Sequence, residues 1–277
     1  MNNIELVPYT DEDYDFVYEV KKNAYKKYVE ECWGAWVEED QRKYFEKFIA
    51  TVKNNTFIIK DGTKKIGFYN GKVLANGNYE VGNICIIPEY HGKGIGTEIV
   101  KYVNNYIYEN YICDCIVLRP FKRNERTVKF YEKCGFEIVD EYVESDTLGN
   151  KGKMIVLLNK PDRWTFDIDG DRLVNLVLDG KKTATTSLYE LDNISEVGYI
   201  SILTDTKDNN VCFIKTSNVI VTELKNITWD LAKLEGENKS LNEWKESHIN
   251  YFKKLDPNFN ENTRVIFEVF EVIKKCK

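Results

Sequence analysis

The stretch Pro88-Glu89-Tyr90-His91-Gly92-Lys93-Gly94-Ile95-Gly96 sets three glycines at alternate positions, after the apolar run Ile84-Cys85-Ile86-Ile87 and before a long amphipathic segment. Such a junction reads as strand, glycine loop, helix. The first N–H groups of a helix lack intrahelical partners and lie at the positive end of its dipole, so glycines there let a phosphate approach the backbone closely. A pyrophosphate is the guest this spacing predicts. There is no GxxxxGK followed by Ser or Thr, and the alternate glycines do not have the GxGxxG spacing. Both facts exclude the better-known phosphate loops.

The elements that must position this loop follow from periodicity. Ile4 to Val7 reads as a strand, Asp11 to Glu31 and Val37 to Phe48 as amphipathic helices, and Thr56 to Lys60, Lys65 to Asn70 and Tyr79 to Ile87 as strands. After the loop come a helix through Tyr108, a strand from Cys115 to Leu118, a helix from Asn124 to Lys133, and strands at Phe136 to Tyr142 and Met154 to Leu158. This is an α/β order.

The loop resembles that of the GNAT superfamily of N-acetyltransferases, written Gln or Arg, two residues, Gly, one residue, then Gly or Ala, and standing here as His91-Gly92-Lys93-Gly94-Ile95-Gly96. A second stretch, Asn124 to Phe136, resembles the family's later helix and strand through Asn124, Tyr131, Gly135 and Phe136, with Thr127 in place of the usual Ala. The resemblance covers roughly residues 3 to 158. It implies acetyl-CoA as cofactor, with the pyrophosphate on the loop from His91 through Gly96 and Thr97, where His91 in place of the usual Gln or Arg weakens one phosphate contact without removing the backbone cradle. It also implies that the backbone of Ile86 and Ile87 pairs with the pantetheine arm and that Asn124 faces the cofactor. Tyr131 would be the general acid that protonates the departing thiolate, or else a core aromatic beside Phe130. Glu80, eleven positions before His91, matches the place of a catalytic glutamate in some protein-acetylating members. It is either the base that takes a proton from the acceptor ammonium or a solvated carboxylate at the start of a strand. The segment holding Trp33, Trp36, Glu38, Glu39 and Asp40 lies where the family lines its acceptor site. It suits an amine, or equally a helix connection with its tryptophans packed inward.

Composition bounds the rest. The chain has 277 residues, 43% hydrophobic and 30% charged, with a formal net charge of -6. No apolar stretch approaches the ~20 residues of a membrane helix, and the first residues lack the pattern of a secretory signal, so a cytoplasmic protein without membrane contact is expected. Seven cysteines, none in a CxxC arrangement, agree with a reducing compartment. Cys113 and Cys115 are expected to pack as small hydrophobes. With His91 and His248 as the two histidines, neither a zinc centre nor a Ser-His-Asp triad is expected. The acidic excess is spread over both halves, so neither has the bulk positive charge of non-specific nucleic-acid binding.

A seam at Asn159-Lys160-Pro161-Asp162 divides the chain into expected domains 1–160 and 161–277, of different fold. The second begins with a helix stopped at Gly180, then a Thr-rich extended run, strands at Tyr199 to Leu203, Val211 to Val221 and Val265 to Val272, and a helix-and-loop region from Leu231 to Lys254. This reads as a small mixed barrel. It resembles the ASCH domain, a PUA-like β-barrel, through Gly180-Lys181-Lys182-Thr183-Ala184-Thr185, Glu235-Gly236-Glu237, Ser240-Leu241, Trp244, His248 and Phe252, over about residues 163 to 274. The resemblance implies an RNA- or nucleoside-related ligand. Some small members hydrolyse acetylated cytidine with a Lys, a Thr and a Glu, which map onto Lys182, Thr185 and Glu237. Lys182 and Glu237 otherwise form an ion pair at the mouth of the barrel.

The expected class is therefore mixed α+β, a GNAT α/β domain with a central mixed sheet followed by an ASCH barrel with helices. The expected activity is transfer of an acetyl group to an amine of a small molecule or protein. A non-catalytic coenzyme A sensor joined to an RNA- or nucleotide-binding module is the alternative.

Overall fold

In the computed structural model, residues 3–145, 151–191 and 194–276 are described. Among them the first half contributes β1 (Ile4–Pro8), β2 (Thr56–Asp61), β3 (Lys64–Val73), β4 (Tyr79–Ile86), β5 (Ile116–Leu118), β6 (Glu137–Ser145) and β7 (Lys151–Asn159). They form one sheet in the order β1-β2-β3-β4-β5-β7-β6. Neighbours are antiparallel except β4 and β5, which run parallel.

Helices cover both faces because the strands alternate apolar residues between them. On one face α1 (Tyr14–Trp33) and α2 (Glu38–Val52) bury Val17, Tyr18, Phe45 and Ile49 against Ile58, Phe68 and Cys85. On the other lies α3 (Ile95–Asn110), whose Tyr106 meets the rings of Phe57 and Tyr69. Its apolar residues Ile95, Ile99, Val103 and Ile107 recur every fourth position, the spacing of one buried helical stripe. The short α4 (Glu125–Lys133) is capped by the Asn124 side chain, which accepts the Thr127 N–H at 3.2 Å. Gly135, at φ 82, ends it.

The chain divides at Lys160 and Pro161 into two units. The second unit's strands are β8 (Arg163–Trp164), β9 (Ala184–Leu188), β10 (Ile200–Thr204), β11 (Asn210–Glu223) and β12 (Arg264–Lys275), in the order β8-β10-β11-β12-β9. Among the described residues this ladder ends at β8 and β9 and does not by itself trace a closed barrel. The two-residue β8 has no local signature, since its strand character comes from pairing with Ile202 and Leu203 far along the chain. One apolar cluster joins α5 (Gly170–Leu178) to Leu203, Cys212, Ile214 and Phe270. A second joins α6 (Trp229–Ala232) and α7 (Leu241–Leu255), through Ala232, Trp244 and Phe252, to Val265 and Phe267. No helix among the described residues is long and apolar enough to cross a membrane.

Candidate functional sites

In the first unit β4 runs beside β5 only at Tyr79 and Glu80, opposite Ile116 and Val117. From Val81 to Ile86 it has a strand partner only on the β3 side. The N–H of Ile87 donates to Ile66 O at 2.8 Å. By the alternation of an antiparallel ladder, Ile86 and Ile84 then turn their peptide groups away from β3, toward the gap that β5 leaves. This is an open strand edge inside a sheet. Of the two residues expected to offer backbone to a pantetheine arm, Ile86 lies on that edge and Ile87 does not. The Ile87 N–H is spent on Ile66, and its carbonyl accepts the Tyr90 N–H at 3.1 Å.

A bulge shapes the edge. Asn70 faces Asn83 and Gly71 faces Val81, so Gly82 is the extra residue. The insertion resets the strand's parity. Glu80, Asn83 and Cys85 oppose Lys72, Asn70 and Phe68, alternate residues of β3, and all three therefore project to the α1 face.

The glycine loop stands at the end of this edge. Gly92 and Gly94 have φ of 74 and 78, with Gly94 as the residue before α3. The N–H groups of Gly92, Lys93, Gly94, Ile95 and Gly96 have no hydrogen-bond partner among the described residues. Five consecutive free donors at a helix start are a geometry suited to an anion. The run stops there, because Thr97 donates its N–H to Gly94 O at 3.0 Å. Gly96 has a different reason to be small, since a Cβ there would stand 3.3 Å from the Phe130 ring. The His91 ring reaches back to the strand, with Nε2 3.0 Å from Ile86 O. A carbonyl only accepts, so Nε2 carries the proton, and His91 ties loop to edge instead of facing the loop's own donors. Lys93 is exposed, near the Tyr90 ring. Asn124 spends its side-chain oxygen on capping α4.

Tyr131 is 7% exposed, with its ring between those of Phe130 and Phe136. Its hydroxyl has no hydrogen-bond partner among the described residues. Burial, with Cys85 and Cys134 nearby, raises the phenol well above its ordinary pKa and keeps it protonated. Glu80 differs. Arg119 contacts one of its carboxylate oxygens, and Lys72 the other at 3.4 Å.

The acceptor segment is also tied. Glu38 accepts from Tyr18 Oη at 3.0 Å and Trp36 Nε1 at 3.1 Å, and pairs with Lys22 at 3.0 Å and Arg42 at 3.4 Å. Lys22 above all lowers its carboxyl to about 2. Trp36 and Glu38 thus clasp α2 to α1. Glu39 pairs with Lys43 on the same helix, Asp40 is exposed, and the side chain of Trp33 lies outside the described residues. Sequence reasoning passed over Lys21, half-buried on α1, whose Nζ donates to Asn83 Oδ1 at 3.2 Å.

In the second unit the two expected motifs meet backbone to backbone. Gly236 has φ 69, and a Cβ there would fall 2.3 Å from Lys181 O. Only glycine lets Glu235-Gly236-Glu237 lie on Lys181-Lys182. The Lys182 side chain, 1% exposed, pairs with Glu237 at 2.5 Å and Glu235 at 3.4 Å. Glu235 also receives Thr186 Oγ1 at 2.5 Å and His248 Nε2 at 3.3 Å. Burial would raise the Glu235 carboxyl, but Lys182 and His248 outweigh it and hold it well below the usual range. For His248, burial opposes protonation while Glu235 favours it, and the balance raises its pKa. Its Nδ1 lies 2.9 Å from Trp244 O, so both ring nitrogens face acceptors and suit an imidazolium.

Thr185, expected beside Lys182 and Glu237, is not part of this network. On β9 successive side chains alternate, and it is Thr186 that reaches Glu235, while Thr185 lies opposite Glu268 in the β9 to β12 register.

Comparison with known proteins agrees with both halves. The acetyltransferase (GNAT) family model matches residues 23–136 and the ASCH domain model residues 162–274. Spermidine N(1)-acetyltransferase of Escherichia coli (strain K12) is 26% identical over 146 residues, 50% of this chain and 76% of the relative. Among solved structures, a chimera of Vibrio cholerae spermidine N-acetyltransferase SpeG and hSSAT is 20% identical at a TM-score of 0.43, over 57% of this chain and 94% of that one. An ASCH domain from Lactobacillus crispatus JV V101 is 26% identical at a TM-score of 0.38, over 41% of this chain and 79% of that one.

Proposed function

The chain carries a GNAT-family acetyltransferase domain joined to an ASCH domain, and on that premise we propose that the gap between β4 and β5 is where an acetyl group passes to a primary amine. Acetyl-CoA, the cofactor of the family, supplies when bound the acyl thioester that a neutral amine attacks with loss of a thiolate. The residues present fit such a cofactor. The free N–H groups from Gly92 to Gly96 suit its pyrophosphate, and the Ile84 and Ile86 peptide groups suit its amide-bearing arm.

The observation that carries the reading is the hydroxyl of the largely buried Tyr131, protonated and without a partner among the described residues, beside Cys85 on the open strand. A phenol so placed has its proton at Oη ready for a departing thiolate. Glu80 has a positioning role: with Arg119 and Lys72 on its two oxygens, it locks the closed end of the gap. The relatives' names make polyamines the reference acceptors. Thiol release from acetyl-CoA by the purified chain, over a panel of primary amines with acetyl-CoA affinity measured in parallel, tests the proposal. Binding without amine-dependent release would overturn it.

For the second unit the same reading gives a PUA-like barrel that binds an RNA- or nucleoside-like ligand at Lys182 and Glu237. Bulges in the β11 to β12 ladder, at Phe213/Ile214 and Thr216/Asn218, supply the bending a barrel needs. Binding is favoured over hydrolysis of acetylated cytidine, because Thr185 is apart from the Lys182 network and Lys182 is engaged by two carboxylates. Titration with cytidine, acetylcytidine and short RNA, together with an assay for released acetate, separates the two.

A further inference from the structure

Lys21 is set apart from the other cations around the α1 face. Lys22 and Arg42 pair with Glu38, Lys65 with Asp13, and Lys72 and Arg119 with Glu80. Lys21 has no carboxylate partner among the described residues. Its Nζ stands 4.4 Å from the centre of the Tyr25 ring and 4.6 Å from that of Phe48, and gives one hydrogen bond, to Asn83 Oδ1. Asn83 is fixed in that orientation, because its amide group donates to Asn70 Oδ1 at 2.9 Å. An ammonium has three donors, and here one is used.

The position matters as much as the charge. Asn83 and Cys85 share the α1 face of β4, and the Cys85 thiol interacts electrostatically with both Lys21 and Tyr131. Lys21 therefore belongs to the same small volume as the hydroxyl proposed to donate the proton. Burial lowers its pKa, the mark of an ammonium short of counter-charge. The acids that could hold a polycation there, Glu38, Glu80 and Asp13, are each already paired. A second amine on the acceptor would meet a like charge at Lys21.

We propose that Lys21 is a specificity-determining residue of the acceptor cleft, where it binds a carboxylate on the acceptor, so that the preferred substrates are amino-carboxylates and not polyamines. The inference rests on the acetyl-transfer reading above. A hydrogen bond to a charged group is worth about 10- to 100-fold in affinity, and that factor should separate an amino acid from the amine left by its decarboxylation.

The test is thiol release by the full chain with matched pairs, ornithine against putrescine and lysine against cadaverine, with spermidine and spermine alongside. The wild type should favour the carboxylate member of each pair by kcat/KM. Lys21→Met should raise KM for that member about 10- to 100-fold and abolish the preference, while Lys21→Arg keeps part of it. Acetyl-CoA affinity, measured by calorimetry, should match wild type in both variants and so report an intact fold. Preference for putrescine or spermidine, or an unchanged ratio in Lys21→Met, would overturn the assignment of Lys21 and leave acetyl transfer standing. Absence of release with every amine, with acetyl-CoA still bound, would overturn both.

Discussion

The gap beside β4 and the cluster around Lys182 are both polar and built from residues with chemistry, yet they differ in saturation. Beside β4, five loop N–H groups, the Ile84 peptide, the Ile86 N–H, the Tyr131 hydroxyl and two donors of Lys21 have no partner among the described residues, while the Ile86 carbonyl meets His91. Around Lys182 the lysine, two glutamates, a threonine and a histidine bond to one another. Donors gathered at one place and left free by the chain suit a site arranged around something that arrives. A saturated cluster holds the fold together first, and a ligand there must exchange partners with it.

That contrast can be broken most forcefully at Glu235. Glu235→Leu leaves Lys182 and His248 without their shared buried carboxylate and should cost about 3–5 kcal/mol, read from chemical denaturation of the full chain. A loss under about 1 kcal/mol would show the cluster to be solvated and its saturation unimportant.

Tyr131→Phe should behave in the opposite way. Removing a hydroxyl that bonds nothing should alter stability by less than about 0.5 kcal/mol, while turnover falls by about 10²-fold or more with acetyl-CoA affinity retained. Wild-type turnover would make Tyr131 a packing residue.

The two threonines sharpen the comparison on a smaller scale. Thr186→Val removes a donor to a buried carboxylate and should cost about 1.5–3 kcal/mol. Thr185→Val should cost less than about 0.5 kcal/mol. Equal losses in the same denaturation experiment would mean that Thr185 shares the cluster after all.

The smallest effect concerns pH. His248 has a raised pKa in the folded chain, so its ion pair contributes full stability below the ordinary value of 6.5 and loses it as pH rises through the folded value. Glu235, with a lowered pKa, contributes above its ordinary value of 4.5 and loses stability as pH falls. The cluster is therefore most stabilising between these limits. Nuclear magnetic resonance titration of the His248 ring should give a midpoint above 6.5, moving down in Glu235→Gln. A midpoint at or below 6.5 would remove the ion pair.

Much of this molecule was legible in order. The glycine loop depends on neighbours within a few residues, so local sequence determined it, along with nearly every strand and helix, whereas Asn124, expected to face the cofactor, spends its side-chain oxygen on a cap. The two motif sets likewise carried both resemblances. Partners were another matter, because they come from residues far apart in the chain. Adjacent lysines on one helix read alike, yet Lys22 meets Glu38 while Lys21 meets Asn83, 62 residues away. Glu80 reads as a candidate base until Arg119 closes on it. Gly96 reads only as a phosphate glycine until Phe130 is found packed where its Cβ would stand. The face that Glu80, Asn83 and Cys85 share depends on the bulge at Gly82 in the pairing of β4 with β3. Thr185 and Thr186 exchange roles by the parity of one strand. Sequence by itself determined the elements and the groups able to do chemistry, since those depend on residue type and short-range spacing. Tertiary structure alone decided which groups are spent and which stay free, because a hydrogen bond or an ion pair is settled by distance in space.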